Sequence, residues 1–454
     1  MRRNFFRLLS VAFLFVGGPA ASGDADPGRE RAFEEIWAKV RDRYFDVTFG
    51  GCDWNKVHDK YLPQVRQVQG EDDFYRLMDR MLAETGHSHL VLHHPSPEPG
   101  PARAKRQPPP APNVPEGPPA GPGLDVRILD GICRVVSVAP AGSAWKTGLR
   151  PGDALEEIDG APVKGMGEDP VRTGVPGEAA HRRLSVLEEL IGPGTRLLAL
   201  GFRPPGGELR RAEVIRDLPC RFSPAVGNMP SLPVELEARR LQGGVGYVRF
   251  NLFLLDELEG IRKAVRGMKD APGIVLDLRG NPGGMGLMAS AVARLFMDRE
   301  AGLGEMHLRG QDVMRFPVMA NPKAYLGPLV ILVDETSAST SEILALGLQE
   351  CGRATVAGSR SAGAALPSIL ERLDCGLLLQ FPIADFHTPR GATLEGKGVA
   401  PDVEAPWTLP ALKEGKDPGV EAAVSLILAG KARPWPPDKE ANPAKEPTPK
   451  GGTP

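Results

Sequence analysis

Ser337, Ser339 and Ser341 crowd the segment Asp334-Glu-Thr-Ser-Ala-Ser-Thr-Ser-Glu-Ile343, which joins an apolar run to a helical pattern. Leu329 to Val333 reads as a buried strand, and Ile343 to Leu348 carries helical periodicity. A serine at a strand-to-helix junction lies where backbone N–H groups point outward without partners. Negative charge developing on a substrate oxygen is stabilised at such a place, which suits nucleophilic catalysis by a hydroxyl. Ser339-Thr-Ser-Glu342 fits a capping box equally well, and in that case the serine only caps the helix. The segment alone leaves both readings open.

At 454 residues the chain has room for two or three domains with sizeable cores. A net charge of −2 and the lack of a basic face or RNA-binding motif argue against nucleic acid as a partner. Arg2 and Arg3 precede an apolar run from Phe5 to Val16 and then Pro19-Ala-Ala-Ser-Gly23, the layout of a signal peptide cleaved near Ser22 or Gly23. The run contains Arg7 and is short for a membrane span, and no cysteine follows it for lipid attachment. Export without a stable span after cleavage is therefore expected. The five cysteines fix no connectivity and no metal pattern. A Cys351–Cys375 bridge is the first candidate, with free thiols as the alternative.

After the signal segment (1–23), helical spacing of Phe33, Ile36, Trp37, Val40 and Tyr44, then Val57–Val68 and Asp72–Ala83, predicts a helical module over residues 28–94. It ends in Thr85-Gly-His-Ser-His-Leu90. Residues 95–122 hold twelve prolines and read as an extended linker. A unit over 123–219 follows, in which Ile132–Val138 is a strand and Gly148-Leu-Arg-Pro-Gly-Asp-Ala-Leu-Glu-Glu-Ile-Asp-Gly160 matches a PDZ domain. Such domains bind extended peptide tails by strand addition, and the carboxylate-holding loop here would be near Pro122-Gly123-Leu124. From 236 to 430 strands and helices alternate: Val245–Phe250, Leu255–Met268, Gly273–Arg279, the Asn281-Pro-Gly-Gly284 turn, Leu287–Met297, Ala354–Ala357 and Gly376–Phe381. The tail from 431 to 454 is rich in proline and lysine and is expected to be disordered.

This succession resembles the C-terminal processing peptidase and tricorn-type serine peptidase family over nearly the whole mature chain. Asp277-Leu-Arg-Gly-Asn-Pro-Gly-Gly284, Thr336-Ser-Ala-Ser-Thr-Ser-Glu342 and Leu394-Glu-Gly-Lys-Gly-Val-Ala-Pro-Asp402 carry the resemblance. It implies an α/β multi-domain chain with an N-terminal helical module, a PDZ domain and a crotonase/ClpP-like catalytic domain, and it makes Ser339 the nucleophile. A serine hydroxyl needs a neighbour that accepts its proton. One branch of the family uses a lysine in Gly-x-x-Thr-x-Gly-Lys, but the matching stretch here, Gly358-Ser-Arg-Ser-Ala-Gly-Ala364, ends in alanine. The tricorn-type branch uses histidine, held by a second serine and a distant glutamate. The resemblance places these roles on His89, Ser88 and Glu395. An imidazole with an ordinary value near 6.5 suits a base working around neutrality.

The oxyanion donors implied are the N–H of Thr340 and one from the glycine turn, Gly283 or Gly284. His87 and His89, with His93 and His94 nearby, raise a zinc site as an alternative, yet no Cys or Glu with ligand spacing accompanies them. His387 is a spare candidate base, and Asp277 and Arg279 are expected to brace the loop. The expectation is an exported serine endopeptidase acting on polypeptide without metal or organic cofactor, oligomeric or not. The alternative is an inactive member of the family that binds peptides or other ligands in the cell envelope.

Overall fold

The computed structural model describes residues 27–93, 120–164 except 141, 166, 175–191, 197–433 except 311, and 435. The expected signal peptide, nearly all of the linker and nearly all of the tail lie outside the described residues. No described helix is long and apolar enough to cross a membrane.

Six strands form the central sheet, in the order Leu236–Arg240, Gly246–Phe250, Ile274–Asp277, Leu329–Val333, Thr355–Gly358 and Val403–Glu404. The first pair is antiparallel and the other four pairings are parallel. Every residue of Ile274–Asp277, Leu329–Val333 and Thr355–Gly358 is buried, as expected for parallel strands covered on both faces. One face packs beneath the helices Leu258–Arg266, Leu287–Ala293 and Thr340–Glu350, in a core that includes Ile261, Met288, Ile331 and Leu344. The other face takes Ala423 and Ile427 of the helix Pro418–Leu428. The helix predicted over Leu255–Met268 starts as a tight 3-10 turn at Leu255–Glu257, and the one predicted from Leu287 ends at Ala293 rather than Met297.

The second unit is an antiparallel meander of Leu124–Leu129, Ile132–Val138, Ala154–Ile158, Leu197–Arg203 and Arg210–Ile215. The helix Glu178–Ile191 contributes Val186 and Leu190 to its core. Two arginines from this unit reach into the central-sheet unit. Arg127 donates to Asp334 Oδ2 at 2.7 Å, and Arg183 donates to the Gly280 carbonyl at 2.8 Å. Asp125 accepts from Arg127, Arg183 and Arg249, each at 2.8 Å.

The N-terminal helices are Pro27–Arg43, Trp54–Val65 and Glu71–Ala83. Asp53 caps the second by accepting the Asn55 and Lys56 N–H groups, which is why it starts before the predicted Val57. These helices share one apolar core with Leu373, Leu377, Leu379 and Phe381 of a hairpin almost 300 residues downstream. The strand Val91–His93 pairs antiparallel with Leu378–Pro382 of that hairpin. Chain immediately before Val91 is thereby carried onto the central-sheet unit.

All five cysteines are free, which corrects the expected Cys351–Cys375 bridge. Cys351 ends the helix Thr340–Glu350, with its Sγ directed at the Gly302 carbonyl. Cys375 lies at a hairpin tip, its N–H bonded to Glu35 of the first helix.

Candidate active site

The strand Leu329–Val333 delivers the segment from Asp334 to the edge of the sheet, and the helix Thr340–Glu350 starts right after Ser339. The three serines separate cleanly. Ser337 and Ser341 are fully buried, and their hydroxyls donate to the Leu278 carbonyl at 2.8 Å and the Asn281 carbonyl at 2.9 Å. Both hydroxyls tie the serine segment to the glycine turn. Ser339 alone of the three is partly exposed. Its backbone is at φ 55 and ψ −118, a conformation that a non-glycine residue holds only where its surroundings enforce it, at a cost of about 1–3 kcal/mol. A sharp strained turn between strand and helix lifts a serine hydroxyl clear of the sheet.

Gly283 and Gly284 lie directly against this turn. A Cβ on Gly283 would come within 2.7 Å of Ser339 Cβ and 2.9 Å of the Thr340 nitrogen, so only glycine fits there. Sequence alone did not choose between the two glycines as a second oxyanion donor. The Gly283 N–H is already bonded to Asn281 Oδ1 at 2.9 Å. Among the described residues the N–H groups of Gly284 and Thr340 have no hydrogen-bond acceptor. Gly284 is fixed by its bridge to Phe253 and by the Thr340 hydroxyl, which donates to its carbonyl at 2.9 Å. Two unpaired N–H groups beside a hydroxyl are what a tetrahedral oxyanion needs.

Ser88, His89 and Glu395 form a second cluster. Glu395 Oε1 accepts the Ser88 N–H at 2.7 Å, and Oε2 accepts the Ser88 hydroxyl at 2.9 Å and the Ala365 N–H at 3.0 Å. Ser88 Oγ lies 2.7 Å from His89 Nδ1. A hydroxyl has one proton, and Ser88 gives it to Glu395, so Ser88 Oγ accepts the Nδ1–H of His89. That tautomer leaves Nε2 with its lone pair available to take a proton. His89 is at φ 59, the left-handed region, which again marks an enforced conformation. Burial pushes its imidazole down to about 4, because the charged ring would lose its solvation, so the ring is neutral at pH 7. Burial pushes Glu395 up, opposed by its three donors.

The two clusters are attached to consecutive residues. Ala364 accepts the Ser339 N–H at 2.8 Å, and Ala365 donates to Glu395. Their Cα atoms are about 3.8 Å apart across one peptide. Among the described residues no hydrogen bond joins His89 itself to Ser339. Ala364, at the position of the missing lysine, is 4% exposed and packed against Ala180 and Ala338.

The other candidates are placed elsewhere. His387 bonds to Asp385 at 3.1 Å and packs against His307, with ring centroids 4.3 Å apart and the rings tilted by 38°. His87 bonds to the Tyr44 hydroxyl at 2.7 Å and His93 to Gln380 at 3.2 Å, while His94 lies outside the described residues. Among the described residues no cluster of three or more His, Cys, Asp or Glu side chains could hold a metal ion. Arg279 forks onto Asp277 on one side and onto Asp417 on the other, which holds the turn from beneath. Gly123 takes φ 70, and its carbonyl accepts the Ala139 N–H at 2.7 Å beside Leu124, the first residue of an edge strand. The capping box read from Ser339 and Glu342 is present, with Glu342 accepting the Ser339 N–H at 3.0 Å. Sequence reasoning missed the bond by which Asn281 occupies the Gly283 N–H and the further contacts of Glu342, treated below.

An α/β sheet, a strained serine, two N–H groups beside it and an imidazole held by Ser88 are parts that suit a serine-type peptidase, and the comparisons with known proteins indicate that class. Residues 244–405 match the model of peptidase family S41, and residues 27–83 match that of the tricorn protease C1 domain. The chain is 27% identical over 435 residues to the carboxyl-terminal-processing protease of Synechocystis sp., covering 94% of this chain and 93% of that one. To a tricorn protease homolog of Streptomyces coelicolor it is 26% identical over 427 residues, 89% of this chain but 33% of that longer protein. The solved structure of a photosystem II D1 C-terminal processing protease superposes with a TM-score of 0.54 at 25% identity, covering 83% of this chain and 92% of that one.

Proposed function

We propose that this chain is an exported serine endopeptidase that cleaves polypeptide through an acyl-enzyme, with a Ser-His-Ser-Glu tetrad in place of a Ser–Lys dyad. Ser339 attacks the scissile carbonyl, and His89 takes the hydroxyl proton and later returns it to the leaving amine. Ser88 and Glu395 hold His89 in the required tautomer, and the N–H groups of Thr340 and Gly284 receive the oxyanion. The reaction on this reading uses no metal or organic cofactor. The PDZ-like unit over 123–219 contributes extended-peptide binding near Gly123 and Leu124. Export rests on the sequence pattern of residues 1–23.

The observation that carries this reading is the hydrogen-bonded run from Glu395 through Ser88 to His89, beside a residue 364 that has no amine. Treating the full chain with a fluorophosphonate probe and mapping the adduct by mass spectrometry tests it. The adduct is expected on the peptide containing Ser339. No labelling at all would instead favour the inactive, ligand-binding alternative, and an adduct on another serine would remove Ser339 from its role.

A further inference from the structure

Glu342 lies in the first turn of the helix behind Ser339 and is fully buried. A buried carboxylate is costly unless every oxygen is satisfied, and this one accepts four hydrogen bonds. Oε2 takes the N–H of Ser339 and the N–H of Ala364, each at 3.0 Å. Oε1 takes the N–H of Gly363 at 2.8 Å and the hydroxyl of Ser361 at 2.5 Å. Ser361 Oγ in turn accepts the Val399 N–H at 2.6 Å, and Gly363 accepts the Gly396 N–H at 2.8 Å, so the turn that follows Glu395 belongs to the same knot.

A helix cap needs only the Ser339 contact. The remaining three bonds serve a different end. Three consecutive amides, those of Gly363, Ala364 and Ala365, are divided between the buried carboxylate of Glu342 and the half-buried one of Glu395. One carboxylate stands on the nucleophile's helix, and the other orients Ser88 and His89. The segment 363–365 is therefore a clamped spacer between the nucleophile and its base. It is also the segment in which the related lysine-dependent enzymes carry their base, so a chain with Ala364 must set the nucleophile-to-base distance through its backbone.

We infer that Glu342 is a positioning residue that holds Ser339 at working distance from His89 by clamping the 361–364 segment. The inference rests on the tetrad reading. Glu342→Gln keeps the shape but turns an NH2 group toward one pair of donors, which leaves that pair unsatisfied and loosens the spacer. Displacements of about 1 Å at reacting atoms cost on the order of 10²-fold.

Steady-state cleavage of an unfolded protein substrate is measured per active site, with sites counted by fluorophosphonate titration. The expected result for Glu342→Gln is a kcat per titrated site lowered about 10- to 100-fold with KM within about threefold. Ser361→Ala removes one donor from the same carboxylate and should shift kcat in the same direction by about 3- to 10-fold; it decides the matter if Glu342→Gln does not fold. A purely structural role would lower the number of titratable sites and leave kcat per site unchanged, and that outcome overturns the inference. Ser339→Ala is run alongside. If that variant still cleaves, the tetrad reading fails; if it is inactive while the other two match the parent enzyme, only the Glu342 inference fails.

Discussion

Ser339→Ala and His89→Ala should each lower kcat/KM for an unstructured polypeptide by about 10³- to 10⁶-fold, and the double variant should be no worse than the poorer single one. On the proposed tetrad, nucleophile and base act as one unit. Once the hydroxyl is gone the imidazole has no proton to accept, and without the imidazole the hydroxyl stays a weak nucleophile. On the same proposal the residual rate comes from the N–H groups of Thr340 and Gly284, which have no acceptor among the described residues, and from substrate binding. Neither substitution removes a charge partner, and Glu395 keeps its bonds to Ser88 and Ala365, so both variants should unfold within a few degrees of the parent. Multiplicative losses in the double variant would show that the two residues act independently, and would separate His89 from the nucleophile.

The second large effect concerns stability. Arg127→Met should destabilise the fold by about 3–5 kcal/mol, because it leaves Asp334 buried with its principal charge partner removed. Arg127 is 2% exposed, and its guanidinium binds Asp334 Oδ2, Asp125 Oδ1 and its neighbour's carbonyl. Asp334 Oδ1 meanwhile orders the serine segment by accepting the N–H groups of Gly280 at 3.1 Å and Thr336 at 3.0 Å. The pair thus links the antiparallel unit that begins at Leu124 to the loops around Ser339. Arg127→Met combined with Asp334→Asn should lose less than the sum of the two singles, since the double variant no longer buries an unpaired charge. Urea unfolding checks both expectations. A loss below about 1 kcal/mol in the single variant would mean that solvent reaches the pair.

Which parts of this arrangement a sequence can disclose follows from the range of the interactions involved. The strand, the serine segment and the helix of 329–350 are contiguous, and their periodicity changes within a few residues, so the junction at Ser339 is legible locally. The parallel strands Ile274–Asp277, Leu329–Val333 and Thr355–Gly358 are legible because, apart from Asp277 and Thr355, they are runs without polar side chains, as burial on both faces requires. His89 is different. Its place depends on Val91–His93 pairing with Leu378–Gln380 of a distant hairpin, and on a glutamate 307 positions from Ser88. No periodicity encodes such a contact, and only the likeness of three motifs to a family connected them. The choice between Gly283 and Gly284 was equally closed to sequence, because it turns on which N–H the Asn281 side chain occupies. The Cys351–Cys375 expectation failed for the same reason, since spacing says nothing of where two thiols come to lie.

The same burial that keeps His89 neutral has a cost in acid. An unfolded histidine binds its proton near pH 6.5, while the folded ring refuses it until about 4. Stability from this residue therefore falls as pH drops through that window, because the unfolded state binds more protons there. Activity should survive lower in pH than an ordinary histidine allows.

The central claim is that His89, in the absence of a lysine at position 364, activates Ser339. It is tested most directly by the pH dependence of the fluorophosphonate labelling rate of Ser339, measured for the parent chain and for His89→Ala. The parent should label at a nearly constant rate around neutrality, with an acid limb falling toward about 4, and His89→Ala should label at least about 10²-fold more slowly at every pH. An unchanged rate in His89→Ala, or a parent rate that climbs only well above pH 8 as for an amine base, would contradict the account.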